Sequence, residues 1–212
     1  MKQNKTNKKF VYLISPNKIT DINFYNDLAL VLSSKKISFF QLRLKKETNS
    51  NKLIIGRKIK KICNKYKVKF LINDDPLLAK KLNADGCHLG QKDMDLIKAR
   101  KILKNKIIGV TCHNSINLAK IAIKTGADYL AFGAFFTSKT KMVKYRASIR
   151  ILNSVKKITL LPIVAIGGIK LNNYKKLLLN KANFLAISSY IWNNKKYKPL
   201  EAIKELNENL RK

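Results

Sequence analysis

Short apolar runs alternate with longer amphipathic stretches along almost the whole chain, and this alternation limits the fold more than any other feature. The short runs are rich in β-branched and aromatic residues, which is typical of buried parallel strands joined by helices. Eight strands are predicted in this way: Phe10–Ile14, Ser38–Leu42, Lys69–Ile72, Gly86–Leu89, Ile107–Val110, Tyr129–Gly133, Ile163–Ile166 and Phe184–Ile187.

The amphipathic stretches predict helices between and after these strands: Phe24–Ser34, Asn51–Tyr66, Pro76–Leu82, Leu96–Leu103, Ser115–Thr125, Asn172–Leu179 and Leu200–Leu210. Eight strand–helix units in about 200 residues close more economically into a barrel than they spread into an open doubly wound sheet, which is the alternative. No linker, low-complexity segment or fixed-period repeat indicates a second domain. The prediction is therefore an α/β protein, a single-domain (β/α)8 TIM barrel over residues 1–212.

The chain carries a large excess of positive charge, with 45 Lys and Arg against 12 Asp and Glu and a formal net charge of +33. Such a balance ordinarily suggests nucleic acid, acidic membranes or anionic substrates as partners. The lysines, however, occur in nearly every segment rather than in one tail or stripe, and Asn and Ile are also abundant. We therefore attribute most of the charge to compositional drift and expect no nucleic-acid partner. A barrel that binds nucleic acid is a competing hypothesis, which predicts exposed aromatic residues on one basic face.

Cysteine usage and hydropathy predict the compartment. The three cysteines are too few and too far apart for a disulfide framework, and none forms a C-x-x-C pair. The apolar run that begins at Phe10 is shorter than a signal-peptide core, and the run from Ile158 to Ile169 is far below the roughly 20 residues that span a bilayer. We expect a cytoplasmic protein without a membrane partner. No interface signature is legible, which leaves a homo-oligomer open.

Carboxylates are scarce in this chain, so their placement is informative. Five of the 12 fall around the ends of the third and fourth predicted strands: Asp74, Asp75, Asp85, Asp93 and Asp95. A barrel brings Asp74 and Asp93 to the rim where active sites of this fold lie. Because Mg²⁺ prefers one or two carboxylates completed by water and phosphate oxygens, we predict a Mg²⁺ site at Asp74 and Asp93. Asp75 and Asp95 are interpreted as helix N-caps.

Two groups of polar residues at strand ends predict binding of phosphorylated small molecules. Strand alternation places Gln41, Arg43 and Lys45 on one face, where Arg and Lys clamp a diphosphate unless they form an ordinary solvated face. Glycines and small polar residues after the seventh and eighth strands are typical of the phosphate site of such barrels. The Cys-His pairs at positions 87–88 and 112–113 do not predict zinc, because adjacent strand residues point to opposite faces.

Several segments together resemble the thiamine-phosphate synthase family in order and spacing, over nearly the whole chain. These segments are Tyr12–Ile14, Gln41–Lys45, Ile72–Asp75, Ala84–Asp93, Gly109–His113, Gly126–Tyr129, Thr140–Lys141, Ile166–Ile169 and Ile187–Ser189. The resemblance implies a transferase that releases pyrophosphate from an aminopyrimidinylmethyl diphosphate and joins the resulting cation to the nitrogen of a thiazole phosphate. Metal and cations aimed at the departing diphosphate would stabilise the charge that develops there.

Carried over by position, the resemblance assigns three groups of residues. Gln41, Arg43 and Lys45 would contact the pyrimidine diphosphate, with Asn73, Thr111 and Lys141 completing the pyrophosphate clamp and Asp74 and Asp93 binding Mg²⁺. Arg43, Lys45, Thr111 and Lys141 would be the catalytic members. The thiazole phosphate would be held by Ser138, Thr140, the Gly168 backbone, Ser188 and Ser189.

The chain departs from the family pattern at two places. The usual Pro-Thr-x-Thr-Lys loop reads Thr137-Ser-Lys-Thr-Lys141, and the usual Ser before Ala-His is replaced by Thr111. Both changes keep a hydroxyl group, so they bear on substrate affinity rather than on the class of reaction. A related barrel, thiazole tautomerase, is the alternative hypothesis, and His113 would serve as its base. The sequence does not decide whether the acceptor thiazole is carboxylated.

Overall fold

The structure, a computed structural model, describes residues 10–137 and 144–208. Within these residues, eight parallel strands close into a barrel in which each strand pairs with its sequence neighbours and the last pairs with the first. The strands are β1 Val11–Ile14, β2 Ile37–Leu42, β3 Lys69–Asn73, β4 Gly86–Leu89, β5 Ile107–His113, β6 Tyr129–Phe132, β7 Ile163–Ile166 and β8 Phe184–Ile187. The predicted (β/α)8 barrel is confirmed.

Helices surround this barrel: α1 Asn23–Ser33, α2 Asn49–Lys65, α3 Pro76–Lys81, α4 Leu96–Leu103, α5 Ile116–Lys124, α6 Arg150–Lys156, α7 Lys175–Leu179, α8 Ser189–Trp192 and α9 Pro199–Glu208. The two predicted N-caps are confirmed. The Asp75 carboxylate accepts a hydrogen bond from the Leu78 amide, and Asp95 accepts from two amides of the first turn of α4. None of the helices in the described part of the chain has the length and apolarity needed to cross a membrane.

The hydrophobic core has two parts. The larger part lies between the strands and the helices, and the smaller part fills the barrel itself with Tyr12, Leu71, Tyr129, Ala131, Val164 and Ala186. The Tyr129 ring needs the space that Gly109 leaves on the neighbouring strand. A Cβ atom at position 109 would lie 1.8 Å from the Tyr129 Cζ atom. A bulky polar aromatic residue therefore enters the barrel because its partner in the register is glycine.

Polar side chains join neighbouring strands at their amino ends. Asp85, Asp128 and Asn183 each directly precede an even-numbered strand. The side chain of each accepts the amide hydrogen of a residue at the start of the preceding strand, at 2.9, 2.7 and 2.9 Å respectively. Lys69 and Arg100 add ion pairs to the two aspartates. This repeated contact places Asp85 at the rim opposite the predicted site, where it stabilises the barrel.

Candidate active site

The rim formed by the carboxyl ends of the strands, here called the barrel mouth, brings Asp74 and Asp93 together. Asp74 directly follows β3 with a left-handed φ of +64°, and its amide donates to the His88 carbonyl at 2.8 Å. Asp93 lies in the turn after β4, where its carboxylate accepts from the Gly90 amide at 2.7 Å. The two carboxyl groups are in hydrogen-bonding contact with each other. A non-glycine residue in a left-handed conformation is uncommon, and such residues cluster at functional sites.

The two carboxyl groups titrate differently because they face different neighbours. Burial raises the pKa of Asp93 above its usual value, and the adjacent Asp74 raises it further. Burial also opposes ionisation of Asp74, but the Lys45 ammonium group and the Asp93 carboxyl group together lower the pKa of Asp74 below its usual value. Two carboxyl groups in contact thus favour sharing one proton. A divalent cation would relieve the same repulsion, so the pair fits the oxygen ligands that Mg²⁺ prefers.

Lys45 and Arg43, the two predicted cations, lie near the aspartate pair. Contrary to the prediction from strand alternation, they do not share one strand face with Gln41. Lys45 Nζ is 2.9 Å from the Asp74 carboxylate, and Arg43 donates to the Asn17 side chain at 2.9 Å. Because β2 ends at Leu42, Arg43 and Lys45 belong to the loop after the strand. Gln41 is different, since its side chain is only 2% exposed and lies inside the barrel. Arg43 and Lys45 therefore lie at the rim of the site, and Gln41 lies below them inside the barrel.

A pocket of about 200 Å³ opens at the rim beside Asp74 and the helix-capping Asp75, and Asp93 is not among its lining residues. Its lining residues are Leu42, Leu44, Lys45, Lys52, Ile72, Asn73, Asp74, Asp75 and Leu78. Asn73 is the last residue of β3, is half-buried and lines this pocket. Two lysines and two aspartates thus line one small opening, which is suited to a ligand that carries both a metal ion and an anion.

A chain of hydrogen bonds runs from Thr111 at the mouth into the barrel. The Thr111 hydroxyl is 2.8 Å from His88 Nε2, and His88 Nδ1 is 2.8 Å from the Tyr129 hydroxyl. The Tyr129 hydroxyl is 2.8 Å from the Tyr12 hydroxyl, which accepts from the Gln41 amide at 3.1 Å. Neither tyrosine was predicted from the sequence as a site residue. The glycine at position 109 was the signal that a large residue enters the barrel nearby.

The loops after β6 and β7 pack against each other at the mouth. Gly168 has a left-handed φ of +63°, and a Cβ atom there would lie 2.3 Å from the Thr137 carbonyl oxygen. Only glycine therefore allows this close approach between the two loops. After β8, Ser188 donates its hydroxyl to the Ser15 carbonyl at 3.0 Å, and Ser189 begins the short helix α8. Gly168, Ser188 and Ser189 thus follow neighbouring strands at the same rim.

Three predicted site residues, Ser138, Thr140 and Lys141, lie outside the described residues. The described flanks of their segment are joined by backbone hydrogen bonds. The Ala134 amide donates to the Tyr145 carbonyl, and the Ala147 amide donates to the Ala134 carbonyl, both at 2.9 Å. The two described flanks of this segment therefore lie side by side. His113, the base expected by the alternative hypothesis, ends β5 and packs against Tyr145, with ring centres 4.1 Å apart and an interplanar angle of 31°.

Comparisons with known proteins agree with this geometry. A family model described as thiamine monophosphate synthase matches residues 11–191. The chain is 89% identical over 206 residues to a thiamine-phosphate synthase of Pelagibacter ubique, with 97% of this chain and 100% of that one covered. It is 38% identical over 183 residues to a thiamine-phosphate synthase of Nitrosomonas eutropha, with 86% of each chain covered.

A solved structure, described as thiamine phosphate pyrophosphorylase from Pyrococcus furiosus, superposes on this chain with a TM-score of 0.83. The two share 25% sequence identity, and the match covers 98% of each chain. The resemblance stated from the sequence is thus confirmed by the family model, by close relatives and by a solved structure. The chain belongs to the thiamine monophosphate synthase family.

Proposed function

We propose that this chain is a thiamine-phosphate synthase, a transferase that joins an aminopyrimidinylmethyl diphosphate to a thiazole phosphate. In this reaction the bond between the methylene carbon and the diphosphate oxygen breaks, and a bond forms between that carbon and the thiazole nitrogen. Pyrophosphate leaves with the bonding electrons. The observation that carries the proposal is the contact of Asp74 with Asp93 and of Asp74 with Lys45 at the mouth of a barrel of this family.

Asp74 and Asp93 are the residues that would hold Mg²⁺. The raised pKa of Asp93 reflects burial and the neighbouring Asp74 carboxyl group, which is the arrangement that a divalent cation stabilises. When bound, Mg²⁺ would neutralise charge on the departing pyrophosphate. Lys45 already contacts Asp74, so its ammonium group would lie beside the same anion.

The remaining diphosphate contacts would come from side chains that end neighbouring strands. Arg43 is held by Asn17 at 2.9 Å, with its planar guanidinium group available for a bidentate contact. Asn73 ends β3, Thr111 lies two residues before the end of β5, and both side chains are partly exposed. Lys141 would add a cation from the segment after β6. Gln41 lies deeper, among buried residues, where it would contact the pyrimidine end of the substrate.

A second anion site would hold the thiazole phosphate where β7 and β8 end. The Gly168 backbone, Ser188 and Ser189 follow these strands, and Ser138 and Thr140 would add hydroxyl groups from the opposite loop. The site resembles the phosphate site common to this fold, which uses backbone amides and a short helix. With phosphorylated small molecules as its substrates, the enzyme would act in the cytoplasm.

The test incubates purified protein with both substrates, with Mg²⁺ or with a chelator, and measures thiamine phosphate and pyrophosphate. We expect both products in equal amounts and only with Mg²⁺. Lys45→Ala should lower kcat/KM by tenfold or more, about 1.4 kcal/mol, because a charge-assisted contact is lost. Lys46→Ala removes the same charge from the next, exposed residue and is the matched control.

Three results would contradict the proposal. Product formation that is indifferent to metal would remove the role of Asp74 and Asp93. Equal effects of Lys45→Ala and Lys46→Ala would reduce the role of Lys45 to general surface charge. Absence of condensation together with a tautomerised thiazole carboxylate phosphate would favour the thiazole tautomerase activity instead.

A further inference from the structure

The hydrogen-bond chain inside the barrel has a direction that follows from its donors. The Gln41 amide nitrogen only donates, so the Tyr12 hydroxyl accepts from it at 3.1 Å. A hydroxyl group has one hydrogen, and that of Tyr12 goes to Tyr129, which is its other neighbour at 2.8 Å. If Tyr129 donated to Tyr12 instead, the Tyr12 hydroxyl hydrogen would be buried with no acceptor among the described residues. Such a loss is costly in a barrel interior.

The same direction continues to the mouth. Having accepted from Tyr12, the Tyr129 hydroxyl donates to His88 Nδ1 at 2.8 Å. A ring nitrogen that accepts carries no proton, so neutral His88 holds its proton on Nε2. That Nε2–H group donates to the Thr111 hydroxyl oxygen at 2.8 Å. The Thr111 hydrogen is then available for an acceptor at the mouth.

We infer that Tyr129 is a positioning residue that sets the tautomer of His88 and thereby makes the Thr111 hydroxyl a donor to the leaving pyrophosphate. The inference rests on the proposed function and adds to it the control of one hydrogen bond. If the hydrogen bonds ran in the opposite direction, the Thr111 hydroxyl would donate its hydrogen to His88 Nε2. Only the lone pairs of its oxygen would then face an anion at the mouth. The orientation of five buried or half-buried side chains thus decides whether Thr111 attracts or repels the diphosphate.

Packing holds the chain in place. Tyr12 and Tyr129 are 2% and 3% exposed, and their rings contact edge to face with centres 5.9 Å apart. The His88 ring stacks on the Tyr129 ring at 5.6 Å with an interplanar angle of 17°. Burial raises the pKa of both tyrosines well above their usual value, so both remain hydroxyl donors throughout the working pH range. The Tyr129 ring fits only because residue 109 is glycine.

The first test reads the tautomer directly, without substrate. The chain has only two histidines, so nitrogen NMR of histidine-labelled protein gives two imidazole patterns, and His113→Gln identifies that of His88. We expect His88 to carry its proton on Nε2 in the wild-type protein. A proton on Nδ1 would mean that the Gln41 side-chain amide is oriented the other way and that every hydrogen bond from Gln41 to Thr111 has the opposite direction. That result would overturn the inference.

Two tyrosine variants form a matched pair, because each removes one buried hydroxyl but only one of them touches His88. In Tyr129→Phe, Nδ1 loses its donor, so we expect the Nδ1–H tautomer to become populated. In Tyr12→Phe, the Tyr129 hydroxyl still reaches His88, so we expect the Nε2–H tautomer to persist. Equal spectra for the two variants would contradict a role for Tyr129 in setting the tautomer.

The second test asks whether Tyr129 acts through Thr111. Tyr129→Phe and Thr111→Val should each lower kcat/KM by about tenfold or more, and the double variant should lose no more than Thr111→Val alone. Additive losses would overturn the coupling. If Tyr129→Phe fails to fold, the wild-type tautomer still decides the direction of the chain. Wild-type protein that makes no product would refute the proposed function, whereas the tautomer measurement would stand independently.

Discussion

Replacing Asp93 by Asn distinguishes two roles of this residue, as a ligand of Mg²⁺ and as a hydrogen-bond acceptor that stabilises the turn after β4. The Asp93 carboxylate accepts from the Gly90 amide at 2.7 Å, and an Asn side-chain oxygen can accept the same hydrogen bond. What Asn cannot supply is the second negative charge beside Asp74. We therefore expect Asp93→Asn to keep the turn after β4 and to lose Mg²⁺ binding and condensation.

The two effects should have different signs. Loss of one of two anionic ligands should weaken Mg²⁺ binding by tenfold or more, about 1.4 kcal/mol. Loss of the like-charge contact with Asp74 should leave the metal-free protein unchanged or more stable, by at most about 1 kcal/mol because both groups are partly exposed. For a chain of this size, 1 kcal/mol shifts the melting temperature by about 2–4 °C.

Asp95→Asn is the matched control, since it removes the same charge two residues away and Asn also caps helices well. Thermal melts in a chelator and a titration with Mg²⁺ compare the two variants with the wild type. Asp95→Asn should retain Mg²⁺ binding and activity. The reasoning would be refuted if Asp93→Asn destabilised the metal-free protein and left Mg²⁺ binding as it is, because Asp93 would then act only in the turn.

Two further predictions concern the interior. Gly109→Ala should destabilise the protein by about 1–3 kcal/mol, because the new Cβ atom would meet the Tyr129 ring; a urea unfolding midpoint equal to that of the wild type would contradict this. The buried thiols, Cys63, Cys87 and Cys112, should react with a disulfide reagent at pH 8 only as fast as the protein unfolds. Burial raises the pKa of Cys112 to about 12 and moves the other two upward, so reactive thiolate becomes scarcer in the folded protein; labelling that rises steeply between pH 7 and 9 without unfolding would be the contrary result.

The barrel could be predicted from the sequence because its strands are buried on both faces and thus read as apolar runs. Helix α4 was predicted with its observed bounds, and the other predicted helices differ from the observed ones by one to three residues at their ends. The helices α6 and α8 were not predicted; the four residues of α8 are too few to show a helical period. Whether the whole of residues 1–212 forms one domain stays a prediction, since both ends of the chain lie outside the described residues.

The candidate site could be predicted where a residue type was rare. Asp74 and Asp93 stood out in a chain with few acids, and the structure brings their carboxyl groups into contact. The roles of the other polar residues depend on how deep in the barrel each side chain lies. Strand alternation predicts the face of a side chain but not this depth. Gln41 and Arg43 are two residues apart, yet one lies inside the barrel and the other in the loop above it.

The two ends of the barrel are built on opposite energetic principles. At the amino ends, Asp85, Asp128 and Asn183 satisfy strand amides, and ion pairs with Lys69 and Arg100 add to the aspartate contacts. At the mouth, Asp74 has a left-handed backbone and shares a like-charge contact with Asp93, both of which cost stability without a bound cation. Substitutions at the amino ends should therefore lower stability and spare catalysis, whereas Asp93→Asn at the mouth should leave the stability of the metal-free protein unchanged or higher and abolish condensation. In such a scaffold, the stabilising contacts at the amino ends of the strands offset the unfavourable contacts that the barrel mouth keeps for its function.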